Sequence, residues 1–313
     1  MLNGDGGVLP RGARRFPLAR PGPPPPVIGP TGTVIGLGRM SLGIAFKSPE
    51  GIVLAADSRV TLNALRQDQS GQKFVIPATF DYATKLLTVK DQTHVAAITY
   101  GVGALDTPEG PRTAHSFMPE FEDELRAGNC KRLPTEDFSR RLSGFFLKQH
   151  QSGRAGPAGP GNDMVFVVGG YDEGQPYGRL FEFFIPSRPD PTERHAGDFG
   201  AVWGGQREIV DRILNGWDDK LLFLLKNELQ LDDARMGALQ AKLGPQIGLP
   251  IPYAFLPLQD TVDLATMLIR TTINTQRWMV DVRGVGGEID VVRITRIEGV
   301  KSVQTKSIHG ENR

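Results

Sequence analysis

"GLGRMSLGIAFKSPEGIVLAADSR", Gly36 to Arg59, admits two readings that lead to different folds. In one, Gly36 and Gly38 begin a Gly-x-Gly-x-x-Gly turn, and Asp57 falls about 20 residues on, where a ribose-binding acid would stand. That reading requires a helix after the glycines, and its third glycine place holds Ser41. The residues lack the helical period. Leu42, Ile44 and Phe46 alternate with smaller or polar neighbours, Pro49-Glu50-Gly51 makes a turn, and an apolar run follows to Asp57. Strand, tight turn, strand is the pattern. Dinucleotide binding stays as a distant alternative.

Outward from this hairpin the same texture returns. Residues 85–101, "KLLTVKDQTHVAAITYG", form a second hairpin around Lys90-Asp91-Gln92. Residues 62–83 between the two are polar and contain glycine, which predicts a loop. Two helices follow. "AHSFMPEFEDELRAG" spaces Phe117, Phe121 and Leu125 four apart, and "TEDFSRRLSGFFLKQH" begins with Thr135 in N-cap position. "MVFVVGGYD", "GRLFEFFIP" and "FGAVWGG" read as strands. "QREIVDRILNGW", an amphipathic section to about Lys242 and "TVDLATMLIRTTINTQRWM", capped by Asp260, read as helices. "GGEIDVVRITR" and "VKSVQTKSI" close the chain as strands. Runs of strands alternating with runs of helices indicate an α+β fold with antiparallel sheets.

Upstream of Met40 the composition breaks. Eight of the 24 prolines fall there, with no periodic apolar residues. Residues 1–39 are therefore expected to be a disordered leader, removed or outside the true start, and residues 41–313 the folded domain. A net charge of +1 gives no reason to expect nucleic acid or an anionic membrane. Absence of an apolar run near the roughly 18 residues of a bilayer span, and of a secretory signal, makes the cytoplasm the default. The single cysteine, Cys130, excludes an internal disulfide. Five dispersed histidines and no His-Glu-x-x-His or Cys-x-x-Cys motif suggest neither metal nor cofactor. The series Phe117, Phe121, Phe138, Phe145 and Phe146 reads as core or as a contact surface between subunits.

"SLGIAFKSPEGIVLAADSR" resembles the opening of a β-type proteasome subunit and of its bacterial HslV- and Anbu-type relatives. "YATKLLTV...HVAAITYG", "FVVGGYDEG...GRLFEF", "GAVWGGQREIVDRIL" and "VGGEIDVVRIT" are similar to later family segments, in the same order. The segment near 218–259 looks like a helical insertion. The resemblance implies a four-layer αββα sandwich of the N-terminal-nucleophile (Ntn) hydrolases. It also implies a homo-oligomeric ring and a peptide or protein substrate, and leaves an ATPase partner open. Counting back from Asp57 puts the family's N-terminal threonine on Ser41. A hydroxyl is a weak nucleophile without a base. In this fold the base is the residue's own α-amine, whose ordinary pKa of about 7.7–8.0 suits proton transfer at neutral pH. Ser41 has this chemistry only if the working chain starts there.

Further roles carry over by the same resemblance. Lys85 stands for the family lysine, with Lys73 as a rival. Asp57 holds that lysine, and Arg59 is a structural arginine. Gly101 is the candidate oxyanion N–H, with Gly103 as an alternative register. Asp281 supports the amine. Three departures stand out: serine replaces threonine, Gly204 replaces a serine, and Gly284-Val285 replaces a serine expected after Asp281. These keep open a catalytically inactive ring or assembly subunit as the second reading.

Overall fold

The computed structural model describes residues 33–34, 41–67, 71–108, 110–153, 162–280 and 283–310. In chain order the first strands are β1 (Thr33–Val34), β2 (Leu42–Lys47), β3 (Ile52–Asp57), β4 (Val60–Gln67) and β5 (Lys73–Phe80). Next come β6 (Leu86–Thr88), β7 (Val95–Gly101), β8 (Ala104–Thr107) and β9 (Gly110–Thr113), then a 3-10 turn (Ala114–Phe117). Helices α1 (Met118–Ala127) and α2 (Thr135–Ser152) precede β10 (Met164–Gly170), β11 (Arg179–Ile185), β12 (Arg188–Arg194) and β13 (Gly200–Gly205). Then follow α3 (Glu208–Leu214), α4 (Asp219–Glu228), α5 (Asp233–Ile247), a 3-10 turn (Tyr253–Phe255), α6 (Leu258–Gln276), β14 (Ile289–Thr295) and β15 (Gly299–Gln304).

Two five-stranded antiparallel sheets dominate, ordered β12-β11-β10-β7-β6 and β13-β2-β3-β14-β15. The α+β class expected from the order of elements is therefore correct. Strand alternation sorts side chains into separate cores, because successive residues point to opposite faces. On β3, Ile52, Leu54 and Ala56 join a core with Ala96 and Ile98 of β7 and Val165 and Val167 of β10. Val53 and Ala55 instead meet Val262, Ala265, Leu268 and Ile269 of α6, together with Leu42, Ile44 and Phe46 of β2. On the other side of β7 and β10, Val95, Ala97, Phe166 and Val168 pack against α1 and α2.

That last core settles the phenylalanine series. Phe117, Phe121, Phe138, Phe145 and Phe146 are all buried in it. The Phe117–Phe146 and Phe121–Phe138 ring pairs meet edge-on, at 5.9 Å and 81°, and at 5.7 Å and 82°. Each buried ring contributes about 1.5–3 kcal/mol by leaving water, and edge-to-face contact adds to it.

Several sequence expectations need correction. Residues 62–83 are not a loop: β4 and β5 pair along their whole length, from Val60↔Phe80 to Gln67↔Lys73. Thr135 is the first residue of α2 rather than its cap; its backbone N and hydroxyl both donate to Asp172, at 2.6 and 2.7 Å. A carboxylate from after β10 thus satisfies the helix N-terminus. Helix α6 starts at Leu258, which puts Asp260 inside its first turn. The amphipathic section after Asp218 is two helices, α4 and α5, each capped by an aspartate side chain, Asp218 and Asp232. Of the expected leader only Thr33–Val34 is described, paired with Leu65 and Ala64 of β4. The residues that a dinucleotide turn would need as a helix form β2 instead, which removes that alternative.

Candidate functional site around Ser41, Asp57 and Lys85

The β2–β3 hairpin closes through reciprocal backbone bonds between Ser48 and Gly51, of 2.9 and 3.3 Å. Its register pairs Gly43 with Ala56, which brings the start of β2 beside the end of β3. Ser41 and Asp57 meet there. Asp57 is fully buried, and its carboxylate gathers four donors. Oδ1 accepts from Leu42 N at 2.9 Å and Lys85 Nζ at 2.6 Å. Oδ2 accepts from Arg59 N at 3.1 Å and Gly286 N at 2.9 Å. A buried carboxylate needs such donors and a counter-charge.

Lys85 supplies the counter-charge. It sits just before β6, and its backbone is fixed by the Thr99 N–H, which donates to its carbonyl at 2.9 Å. Burial of the ammonium pulls its pKa below the ordinary lysine value of 10.5. The Asp57 carboxylate opposes that pull, while Lys306 and Arg59 add to it. The Lys73 backbone lies elsewhere, paired with Gln67 at the far end of the β4–β5 hairpin from Val60. Seven residues of strand separate those ends, about 23 Å.

Arg59 locks the loop that follows α6. Its guanidinium binds Asp81 at 2.5 and 2.8 Å and the Arg283 carbonyl at 3.1 Å. Asp81 is held below the usual carboxylate range by the hydrogen bond from Arg59. Asp281 lies outside the described residues.

Ser41 is buried, and its carbonyl accepts from Gln206 N at 2.8 Å. Gly205 makes this approach possible: its φ is +95°, and a Cβ there would lie 1.9 Å from the Ser41 carbonyl oxygen. Ser41, Lys85, Thr99 and Gly103 line one small cavity of about 20 Å³. Gly101 is not among the residues lining it; with Gly204 and Gly205 it borders a separate cleft. Of the two oxyanion candidates, Gly103 is the one beside Ser41 and Lys85.

Sequence reasoning passed over three parts of this site. The Gln276 side chain donates to Gln206 Oε1 at 2.7 Å and accepts from Val285 N at 3.1 Å, tying α6 to the turn after β13. The buried Asp290 forms a second ion pair with the partly buried Lys306, whose charge contributes to the field at Lys85. An aspartate inside the apolar run of "EIDVVRI" was the visible signal. Tyr100 lies across the gap between the sheets, so that a Cβ on Gly43 or Gly204 would come within 2.5 and 2.3 Å of its ring.

Among the described residues, no group of three or more His, Cys, Asp or Glu side chains is placed to hold a metal ion, and no helix is long and apolar enough to cross a membrane. No family model matches the sequence, and no curated protein matches it.

Proposed function

We propose that the chain is a proteasome-like Ntn amidohydrolase that cleaves amide bonds of peptides through an acyl-enzyme on Ser41. The observation that carries this is the buried Asp57 carboxylate, which binds Lys85 Nζ and the amide directly after Ser41 through the same oxygen. Core placement supports the four-layer αββα sandwich as the finer fold: one core lies between the sheets, and each sheet packs helices on its outer face.

The steps follow from these positions. With Ser41 as the first residue, its α-amine accepts the hydroxyl proton as Oγ attacks the amide carbon. Lys85, held charged by Asp57, favours the neutral amine and stabilises the developing charge. The Gly103 N–H is the oxyanion donor. The amine returns its proton to the leaving nitrogen as the C–N bond breaks. Water then attacks the ester, with the α-amine again taking the proton, and releases the acid and the Ser41 hydroxyl.

A second reading, a non-catalytic ring or assembly subunit, is favoured by Gly204. No serine hydroxyl fits there, because Tyr100 occupies the space. The two readings part on one experiment: hydrolysis of fluorogenic peptide amides by protein beginning at Ser41, beside protein that retains Met40. The enzyme reading expects activity only in the first, abolished in Ser41→Ala and reduced at least about a hundredfold in Lys85→Ala. Hydrolysis indifferent to Ser41 sinks the mechanism. Inert particles of ring size support the assembly role.

A further inference from the structure

A cleft of about 440 Å³ opens between the ends of the two sheets, and Tyr100 borders both it and the small cavity at Lys85. Two carboxylates and two guanidiniums line it: Asp163, Glu182, Arg188 and Arg207. Two of the four are already satisfied. Asp163 accepts from Ser187 N at 2.9 Å and Ser187 Oγ at 2.8 Å, and Arg207 Nε donates to Asp211 at 2.6 Å.

The other two are not. Glu182 is only 7 % exposed. Its Oε1 accepts from the Tyr100 hydroxyl at 2.9 Å; its Oε2 forms a long ion pair with Arg194 Nε at 3.9 Å and accepts no hydrogen bond from a described residue. Arg188 stacks over the Phe184 ring at 4.1 Å and makes no hydrogen bond or ion pair among the described residues. The cleft therefore offers one acceptor oxygen without a hydrogen bond and one uncommitted cation, with the Tyr100 and Phe184 rings as apolar wall.

Spacing narrows the ligand. Phe184 pairs with Arg188 across β11 and β12, and Glu182 lies two residues back along β11; counted from the Phe184–Arg188 pair the two are diagonal neighbours, and the register shift between Glu182 and Phe184 pairs Glu182 itself with Thr192. Such neighbours are about 7–8 Å apart. Two extended residues of peptide span about 7 Å. The geometry points to a binding site for a short zwitterionic peptide, of dipeptide size, with its ammonium on Glu182 and its carboxylate on Arg188. This site does not require Ser41 to be a nucleophile.

Calorimetric titration of the full chain with alanyl-leucine, its N-acetyl form and its C-terminal amide tests the inference. The zwitterion is expected to bind saturably, and each blocked form about tenfold more weakly or worse, since each loses a charge-assisted bond. In Glu182→Gln, which keeps an acceptor for Tyr100, acetylation no longer matters; in Arg188→Met, amidation no longer matters. Absence of saturable binding, equal affinity for all three ligands, or variants that keep both discriminations would overturn it. The blocked ligands probe both charges in the unmutated protein, so the result stands even if a variant fails to fold.

Discussion

Replacing Asp57 with Asn is the most informative single change in the fold. The substitution conserves shape and leaves one acceptor oxygen and one NH₂ where the carboxylate had two acceptors. Four donors converge on Asp57, two on each oxygen, so whichever way the amide turns, two of them face an N–H. If it turns its NH₂ toward Leu42 and Lys85, the lysine loses its counter-charge inside the protein. Breaking one partner of a buried pair costs about 3–5 kcal/mol, and an orphaned buried N–H about 1–3 kcal/mol. These costs overlap, and Lys85 escapes part of them by releasing its proton. We expect a net loss of about 4 kcal/mol, a large share of the roughly 5–15 kcal/mol that holds a domain together.

Urea unfolding followed by circular dichroism reads this directly, with an unchanged m-value showing that the folded state is intact. Two controls isolate the cause. Adding Lys85→Met to Asp57→Asn removes the stranded cation and is expected to restore about 1–2 kcal/mol, a coupling that independent sites would not show. Raising the pH toward the ordinary lysine value of 10.5 is expected to shrink the defect, because burial already holds Lys85 below that value and a neutral lysine needs no partner. An Asp57→Asn protein within about 1 kcal/mol of the parent at neutral pH would refute the reasoning, as would a double variant less stable than the single.

Three further outcomes are expected. Asp81→Asn, at a half-exposed pair with Arg59, is expected to lose under about 1 kcal/mol at neutral pH. Because the folded-state pKa of Asp81 is depressed, its stabilisation is present above the ordinary aspartate pKa and lost as pH falls through the lowered value, so the variant's stability should vary less with pH below about 4. Gly204→Ser places a Cβ 2.3 Å from the Tyr100 ring; unfolding experiments should show a loss of about 1–3 kcal/mol, partly recovered by adding Tyr100→Ala. Phe146→Ala should cost about 3–5 kcal/mol, whereas Phe255→Ala, at a ring 85 % exposed, should stay within about 0.5 kcal/mol of the parent in the same assay.

Much of the site was legible because its residues lie next to strong local signals. Asp57 ends an apolar run after a Pro-Glu-Gly turn, and counting through that hairpin places Ser41 at its other end. Lys85 leads a second hairpin, and that was reason enough to prefer it over Lys73. Two of the missed strands contain proline, Pro77 in β5, and Pro189 and Pro191 in β12. Proline weakens a strand pattern because it cannot donate to the ladder, but both strands lie at sheet edges, where one side needs no donor. Sequence cannot show which strand is an edge. The same limit hid Gly286, which reaches Asp57 through a backbone N–H, and Asp172, which caps α2 from 37 residues away. Contacts through backbone atoms, or across elements distant in the chain, leave no mark in residue type.

The central claim is that Ser41 works as the first residue of the chain. Intact-mass measurement of the protein purified from its own cells, before and after an electrophile directed at N-terminal nucleophiles, tests it most directly. The account predicts a mass beginning at Ser41 and a single adduct that Ser41→Ala abolishes. A mass that retains residues before Ser41, with no adduct at that serine, would contradict it.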